Sequence, residues 1–259
     1  MRNYCTILDD KYTRQAAAMA SSMQKHCQPY TLWCLAMNDA AAEALAGLPN
    51  VKVMGLYAIA SPELLATQSG RTWAEFVWTV KSSWIAWMLE NVGDVLYLDC
   101  DGYFFSSPEP LYAEIGDAPL AITPHRFPAR LRNYLVNGQC NAGVVYAARA
   151  GLPCIRDWAA QCVDWCYLRY GESRLADQKY LDEWPAKYGA HHIANIGVNC
   201  APWNQEQYDW KRKDGLITLN DTSLIWYHFH QGLTPYYPIN DFVKKNIYAE
   251  YEAALCGSN

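Results

Sequence analysis

The sequence predicts an α/β fold whose central sheet is mostly parallel, Rossmann-like and flanked by helices. Strand-like segments alternate with helix-like segments from the first residues onward, which is the order expected of such a sheet. Hydrophobic residues make up 51% of the chain and charged residues 18%, so there is enough apolar material for a core and no indication of disorder. The 259 residues contain no repeat, low-complexity tract or linker, and we therefore expect one continuous domain.

The elements follow in order along the chain. Strands are predicted over residues 3–8, 30–36, 51–54, 94–98, 120–123, 140–146, 191–195 and 223–229. Helices are predicted over residues 12–27, 72–91, 152–170 and 177–184, with a short Ala-rich helix that Asp39 opens as its N-cap. The strand over 94–98 is compact and apolar, and it runs directly into the acidic residues Asp99 and Asp101.

Composition argues against several classes of function. A net charge of −5 does not favour the broad positive face that binds nucleic acid or an acidic membrane surface. The chain has no run of about 18 apolar residues, so we expect no transmembrane segment and leave open only a peripheral membrane contact. Because no apolar leader is visible, the ten cysteines are expected to be free thiols in a cytoplasmic protein.

The segment VLYLDCDGYFF places two carboxylates at the carboxyl end of a strand, where ligands gather in open α/β sheets. Asp99 and Asp101 are two residues apart and can turn towards one hard cation. Taken alone, such a pair equally often just ends a strand at the surface. The last strand, LIWYHFH, places His228 and His230 on one face, as further metal ligands or as hydrogen-bonded core or rim residues. Imidazole with carboxylates suits Mn²⁺ better than Ca²⁺ and leaves Mg²⁺ open.

Four segments together resemble a known family. VLYLDCDGYFF, CNAGVVY, ADQKYLDEWP and YHFHQG occur in the order and approximate spacing of retaining GT-A glycosyltransferases, the group that includes glycogenin and bacterial lipopolysaccharide galactosyltransferases. The resemblance runs from about Thr6 to Gly232. It implies the GT-A fold over residues 1–259, with a nucleotide-binding part (1–101), a donor-sugar and acceptor part (102–237) and a C-terminal tail (238–259).

The resemblance also implies roles for individual residues. Asp99, Asp101 and His228 match the metal ligands, and His230 is a reserve ligand because Gln231 is inserted before Gly232. Residues matched to the donor are Thr6, Asp9 and Tyr12 for the nucleoside, Lys81 for the diphosphate and sugar, and Asn141, Ala142 and Gly143 for the sugar. Asp177 and Gln178 match the pair that faces the anomeric carbon, although Asp177 also suits the N-cap of a helix.

The activity implied is transfer of a sugar from a nucleotide-diphosphate donor, a UDP-sugar first of all, to a hydroxyl of a glycan, glycolipid or protein. The anomeric configuration is retained, and Mn²⁺ or Mg²⁺ assists departure of the diphosphate. One alternative is a catalytically silent sugar- or nucleotide-binding protein on the same fold. A phosphatase of the haloacid dehalogenase type is disfavoured, because its acidic motif opens the chain and is followed by a small hydroxylated residue, whereas Gly102 and Tyr103 follow here.

Overall fold

The computed structural model describes residues 1–169 and 174–257. The strands are β1 (Arg2–Leu8), β2 (Tyr30–Ala36), β3 (Val51–Gly55), β4 (Val95–Leu98), β5 (Gly102–Phe104), β6 (Leu120–Pro124), β7 (Cys140–Ala147), β8 (His191–His192), β9 (Val198–Cys200), β10 (Trp210–Lys213), β11 (Leu216–Leu219), β12 (Thr222–Ser223) and β13 (Trp226–His228). The helices are α1 (Thr13–His26), α2 (Asp39–Leu45), α3 (Pro62–Ala66), α4 (Trp73–Asn91), α5 (Glu109–Ile115), α6 (Leu152–Asp164), α7 (Trp184–Tyr188), α8 (Asp241–Val243) and α9 (Ala249–Cys256).

The predicted α/β fold is confirmed. A seven-stranded sheet has the order β3-β2-β1-β4-β7-β6-β8. β1 pairs in parallel with β2 and β4, β2 with β3 and β6 with β8, whereas β7 runs antiparallel to both of its neighbours. A second sheet, β5-β13-β9, continues from the acidic segment after β4. Because β7 is reversed, its first residues lie beside the last residues of β4.

The core lies on both faces of this sheet. On one face, buried side chains of α4 and α6, among them Trp84, Ile85 and Trp158, pack against the strands. On the other face, Met19 and Met23 of α1 do the same. Two packed layers around a sheet are the arrangement that the alternation of strands and helices predicts.

Helix α4 positions part of the site, and a local sequence motif explains where it begins. Thr72 caps it, because the Thr72 side chain accepts from the Glu75 amide and the Glu75 carboxylate accepts from the Thr72 amide. This capping box satisfies amide groups that a helix start leaves unpaired. The prediction of a helix over 72–91 is confirmed to within one residue.

Several predicted boundaries are wrong, and a tertiary contact lies at one of them. α6 ends at Asp164 rather than near residue 170. The Gln161 carbonyl still accepts from the Trp165 amide, but the Trp165 carbonyl accepts from the Tyr180 hydroxyl at 2.6 Å, and Tyr170 itself lies outside the described residues. Residues 177–184 do not form one helix but a turn and a 3-10 segment, Lys179–Glu183, before α7, in whose first turn Pro185 is tolerated.

Three further boundaries differ. The predicted strand 191–195 is only β8. The strand 223–229 divides into β12 and β13, whose pairing with β9 shifts register between Trp226 and Tyr227. Asn38, rather than Asp39, caps α2 by accepting from the Ala41 amide. None of the helices in the described part of the chain is both long and apolar enough to cross a bilayer.

Candidate active site

A cavity of about 810 Å³ opens at the carboxyl ends of β1 and β4. All but one of the residues predicted to form the site line it; they are Asp9, Tyr12, Lys81, Asp99, Asp101, Asn141, Ala142, Gly143, Asp177, Gln178, His228 and His230. The exception is Thr6, whose side chain is fully buried in β1. The cavity is within the range of pockets that hold small-molecule substrates.

Asp101 and His228 form the closest contact between the two predicted metal-binding segments. β13 pairs antiparallel with β5 and sets His228 opposite Gly102, so the histidine faces the acidic segment. His228 Nε2 lies 3.1 Å from Asp101 Oδ1 and 3.8 Å from Asp99 Oδ2. Burial opposes both charges, but the carboxylates raise the pKa of His228, and the imidazole lowers the pKa of Asp101 below its usual value.

The reserve ligand lies in the same place. The ligand atoms of Asp101, His228 and His230 are all within 4.8 Å of one another, so the structure brings both histidines together instead of selecting one. A carboxylate with two imidazoles is a donor set that suits a divalent transition metal. These residues therefore fit the metal that the sequence predicts, with Asp99 beside them.

Asp99 is held by Tyr97 and Lys81 through one carboxylate oxygen, while its other oxygen faces His228. Its Oδ1 accepts from the Tyr97 hydroxyl at 2.7 Å and lies 3.2 Å from Lys81 Nζ. Its Oδ2 is the oxygen nearer His228. Tyr97 is fully buried and lies two residues before Asp99, so the alternation of β4 places both on one face. That spacing was a usable signal for Tyr97, which the sequence reasoning missed.

Lys81 connects Asp99 with the candidate catalytic residue Asp177. Lys81 Nζ lies 3.0 Å from Asp177 Oδ2 and donates to the Ala142 carbonyl at 3.4 Å. Burial opposes the charge of Lys81, but the two carboxylates prevail and raise its pKa. Burial also disfavours the charged form of Asp177 and so raises its pKa, and Lys81 opposes that shift. Asp177 does not cap the segment that follows it, since no side-chain cap is formed there.

Asn199 is a buried hub that sequence reasoning also missed. Its Nδ2 donates to Thr123 Oγ1 at 2.7 Å and to Asn141 Oδ1 at 3.1 Å, and its Oδ1 lies 3.3 Å from His228 Nδ1. Because that oxygen can only accept, His228 carries its proton on Nδ1 and presents Nε2 to Asp101. Asn199 has a φ of 57°, a left-handed conformation in which Asn is enriched. No periodicity marks such a position.

The start of β7 supplies the predicted sugar-binding residues. Asn141 Nδ2 donates to Gln178 Oε1 at 3.1 Å, and Asn141 Oδ1 accepts from the Gly143 amide at 3.0 Å. A Cβ on Gly143 would lie 2.7 Å from both Asn141 Oδ1 and His228 Cε1, and 2.9 Å from Asp99 Oδ2. Only glycine therefore leaves the side chains of Asn141, His228 and Asp99 where they are.

The end of β1 forms the opposite wall of the cavity. Asp9 accepts from the Lys11 amide at 3.0 Å and from Trp73 Nε1 at 2.7 Å, so each carboxylate oxygen has a partner within the protein. The rings of Tyr12 and Trp73 are partly exposed there, at 44% and 38%. Trp73 comes from the first turn of α4 and was not predicted as a site residue.

Aromatic side chains form a further wall beside the histidines. Trp203 lies edge-on to both His228 and His230, with ring centroids 5.4 and 5.6 Å apart. His125 stacks on Phe127 at 4.6 Å. Burial lowers the pKa of His125 to about 4, and its Nδ1 has no hydrogen-bond partner among the described residues. Tyr134 and Tyr237 complete this aromatic wall.

Solved structures similar to this chain are glycosyltransferases. The galactosyltransferase LgtC, in complex with donor and acceptor sugar analogs, superposes with a TM-score of 0.66 at 18% identity, and the match covers 98% of this chain and 95% of LgtC. The glycosyltransferase GlyE of Streptococcus pneumoniae gives 0.61 at 15% identity over 99% of this chain and 62% of GlyE. Mouse xyloside xylosyltransferase 1 gives 0.59 at 13% identity over 92% of this chain and all of that one. These matches confirm the predicted fold.

Sequence relatives are found in Bacillus subtilis. The uncharacterized protein YfnD is 32% identical over 238 residues, which span 88% of this chain and 76% of YfnD. The uncharacterized protein YfnF is 28% identical over 243 residues, which span 87% of this chain and 80% of YfnF. No family model matches the sequence. The chain therefore belongs to the family of Bacillus subtilis YfnD and has the GT-A fold of the glycosyltransferases.

Proposed function

We propose that this protein is a metal-dependent glycosyltransferase that moves a sugar from a UDP-sugar to a hydroxyl acceptor with retention of anomeric configuration. The observation that carries the proposal is that one cavity of about 810 Å³ joins the Asp101 and His228 cluster to the buried pair Lys81 and Asp177. The similar solved structures support sugar transfer as the general activity. They do not favour a phosphatase.

The metal-binding end is suited to the diphosphate. Asp99, Asp101 and His228 would hold Mn²⁺ or Mg²⁺ there. Bound in this place, the cation supplies electrophilic assistance by neutralising the charge that develops on the leaving diphosphate. Tyr97 and Lys81 fix Asp99 Oδ1 and so leave Oδ2 for the cation. Asn199 fixes the ring of His228 through Nδ1.

The sugar-binding end carries the predicted pair Asp177 and Gln178. Lys81 keeps the Asp177 carboxylate charged, and a carboxylate stabilises the oxocarbenium-like transition state expected of sugar transfer. Gln178 and Asn141 are hydrogen-bonded to each other and to the start of β7, which orients both amides. Retention requires either a covalent intermediate, for which Asp177 is the candidate, or attack from the face that the diphosphate leaves.

The remaining walls suit the nucleoside and the acceptor. Tyr12 and Trp73 offer half-exposed aromatic rings to a flat base, with Asp9 beside them. The aromatic wall of Phe127, Tyr134, Trp203 and Tyr237 lies on the other side of the histidines and suits the apolar face of an acceptor sugar, in a glycan or a glycolipid. His125 Nδ1 is buried in that wall and has no hydrogen-bond partner among the described residues.

Binding of nucleotides tests the donor site. We would measure melting temperatures with UDP, GDP, CDP and ADP, each with and without Mn²⁺, for the wild type, Asp101→Ala and the matched control Asp39→Ala, whose carboxylate is exposed on α2. A ligand that binds only the folded state raises the melting temperature. The expected result is a Mn²⁺-dependent shift with UDP that the control keeps and Asp101→Ala loses. Absence of any nucleotide shift in the wild type would contradict the proposal.

Turnover separates an enzyme from a silent sugar-binding protein on this fold. Incubation of UDP-sugars with Mn²⁺ and candidate glycan acceptors is expected to release UDP and form a new glycosidic bond. NMR of the product should show the anomeric configuration of the donor. Tight donor binding without UDP release or product, over a broad acceptor panel, would favour the silent alternative instead.

A further inference from the structure

We propose that His230 is a metal ligand together with His228, and that this second imidazole makes the site select transition-metal cations over Mg²⁺. The inference rests on the proposed function, because the cation concerned is the one that would meet the donor diphosphate. It concerns a different property of the site, namely which divalent ion the protein retains.

The two histidines reach the cluster because of the local chain path. Their ring centroids lie 5.9 Å apart with planes at 86°, and Trp203 contacts both rings. Phe229, between them, is fully buried on the opposite side, and its amide donates to the Asp101 carbonyl at 2.8 Å. That hydrogen bond ties the histidine segment to the acidic segment. Both imidazoles therefore approach Asp101 as a consequence of backbone pairing, not of a chance side-chain orientation.

His230 is also available as a ligand. His228 uses Nδ1 for Asn199 and has Nε2 left for a cation. Within the described part of the chain neither ring nitrogen of His230 takes part in a hydrogen bond, and the residue is exposed towards the cavity. Its ligand atom lies within 4.8 Å of those of both Asp101 and His228. An unpaired imidazole at this distance has a lone pair to offer a metal without breaking any internal contact.

The donor set decides the selectivity. Two imidazoles with Asp101 and the nearby Asp99 form a mixed nitrogen and oxygen site, whereas Mg²⁺ prefers oxygen ligands and keeps several of its waters. When the diphosphate of the donor also binds, few positions remain for those waters. First-row transition metals accept imidazole readily, so removal of one imidazole weakens Mn²⁺ binding more than Mg²⁺ binding.

The test is a competition between two metals without any catalytic step. Binding of Mn²⁺ to the full chain with UDP would be followed from the EPR signal of free Mn²⁺, and Mg²⁺ would then be titrated as competitor. The variants are His230→Ala and His26→Ala, the latter a partly exposed histidine in the last turn of α1 and far from the site. Nitrogen couplings to bound Mn²⁺, measured by pulsed EPR, report the number of imidazole ligands.

His230→Ala is expected to weaken Mn²⁺ binding by at least about 10-fold, since loss of even an outer-sphere partner of a metal ligand costs this much. Mg²⁺ affinity should change less, so that the ratio of Mn²⁺ to Mg²⁺ affinity falls, and the nitrogen coupling should decrease from two imidazoles to one. His26→Ala should match the wild type. An unchanged ratio and unchanged coupling in His230→Ala would overturn the inference.

The proposed function can fail separately. If the wild type binds no Mn²⁺ and transfers no sugar, both proposals are wrong. If it binds Mn²⁺ through Asp101 and transfers sugar, but His230→Ala keeps the metal preference, only the role of His230 is wrong. If His230→Ala loses the preference and the wild type transfers no sugar, the metal site stands without the transferase activity.

Discussion

Lys81 Nζ lies 3.0 Å from Asp177 Oδ2, and the two side chains are only 5% and 6% exposed. A buried ion pair of this kind costs much to desolvate and is seldom kept for stability alone. Here it joins α4, which carries Lys81, to the segment that carries the candidate catalytic carboxylate. We therefore interpret the pair as a device that keeps Asp177 charged at the cavity.

Removal of Lys81 should destabilise the protein, because the buried carboxylate of Asp177 loses its partner. Lys81→Met leaves Asp177 unpaired, and breaking a buried pair from one side costs about 3–5 kcal/mol. Urea denaturation at neutral pH should show a loss of this order in the free energy of unfolding. The double variant Lys81→Met with Asp177→Asn should recover most of it, because the carboxylate that remains, Asp99, is partly exposed and keeps the Tyr97 hydroxyl as a donor. Failure of the double variant to recover would mean that lost packing, not charge, causes the effect.

The loss of stability caused by Lys81→Met should depend on pH. Burial raises the pKa of Asp177, and removal of Lys81 takes away the largest influence that opposes this shift. A carboxyl whose pKa is higher in the folded state favours folding when protonated, and this contribution is lost as pH rises from the unfolded pKa, about 3.8, through the folded one. The destabilisation by Lys81→Met should therefore be smaller at about pH 4.5 than at about pH 7. Equal destabilisation at both values would contradict this assignment.

Tyr97→Phe should weaken the metal site while the fold stays intact. The variant removes only the hydroxyl that donates to Asp99 Oδ1. Loss of such an outer-sphere partner costs about 10–100-fold in metal affinity, and we expect Mn²⁺ binding by calorimetry to fall within that range. Tyr146→Phe, on β7 and away from the cavity, is the matched control and should bind Mn²⁺ like the wild type. Unchanged Mn²⁺ affinity in Tyr97→Phe would exclude the positioning role.

Asn199→Ala should affect both stability and metal binding. Alanine is strained at a φ of 57°, and it leaves His228 Nδ1 without its acceptor. Asn199→Asp tolerates that conformation and keeps an acceptor for His228, so it should bind Mn²⁺ more tightly than Asn199→Ala. Asn220→Ala, at a φ of 46° outside the cavity, controls for strain and should lose stability but not Mn²⁺ affinity. Equal metal binding by the two Asn199 variants would count against orientation of His228.

Gly143→Ala should disrupt the site by steric displacement. The added methyl would lie 2.7 Å from His228 Cε1 and 2.9 Å from Asp99 Oδ2, so both proposed ligands must move. A shift of a metal ligand lowers affinity, and we expect Mn²⁺-dependent UDP binding to fall by at least about 10-fold. Gly55→Ala is the matched control, because its Cβ would meet nothing within 4 Å. Normal UDP binding by Gly143→Ala would show that the start of β7 can shift to accommodate the methyl group without loss of affinity.

The sequence predicted the sheet and twelve of the residues that line the cavity, because strand periodicity and ordered motifs are local signals. The predicted end of α6 was wrong, since the Trp165 carbonyl just after the helix accepts from the Tyr180 hydroxyl of a later segment. Asn199 and Trp203 were missed for the same reason. Asn199 lies in β9 and Trp203 in the irregular chain after it, and their contacts with His228 depend on a pairing with β13 that no local pattern reveals.

Placement of His230 shows a different limit. The sequence offered His228 or His230 as alternatives, because an alignment assigns one residue to one role. In the structure, backbone pairing brings both rings to Asp101. The two histidines are two positions apart on a strand-like segment and share one face, so both lie near Asp101, and the assignment of the metal ligand stays a prediction.

The reversed direction of β7 has a consequence for how such a site can diversify. The Asp99 amide donates to the Gly143 carbonyl at 2.9 Å, so the chain leaves the candidate site after β4 and returns to it at β7. The chain between β4 and β7 contains α5, β6 and residues 125–138, which include part of the aromatic wall. Both ends of this stretch are joined by the antiparallel pairing of β4 with β7. We expect chimaeras that exchange residues 125–138 with those of relatives such as YfnD to alter the choice of acceptor while the cation and nucleotide affinities stay as they are.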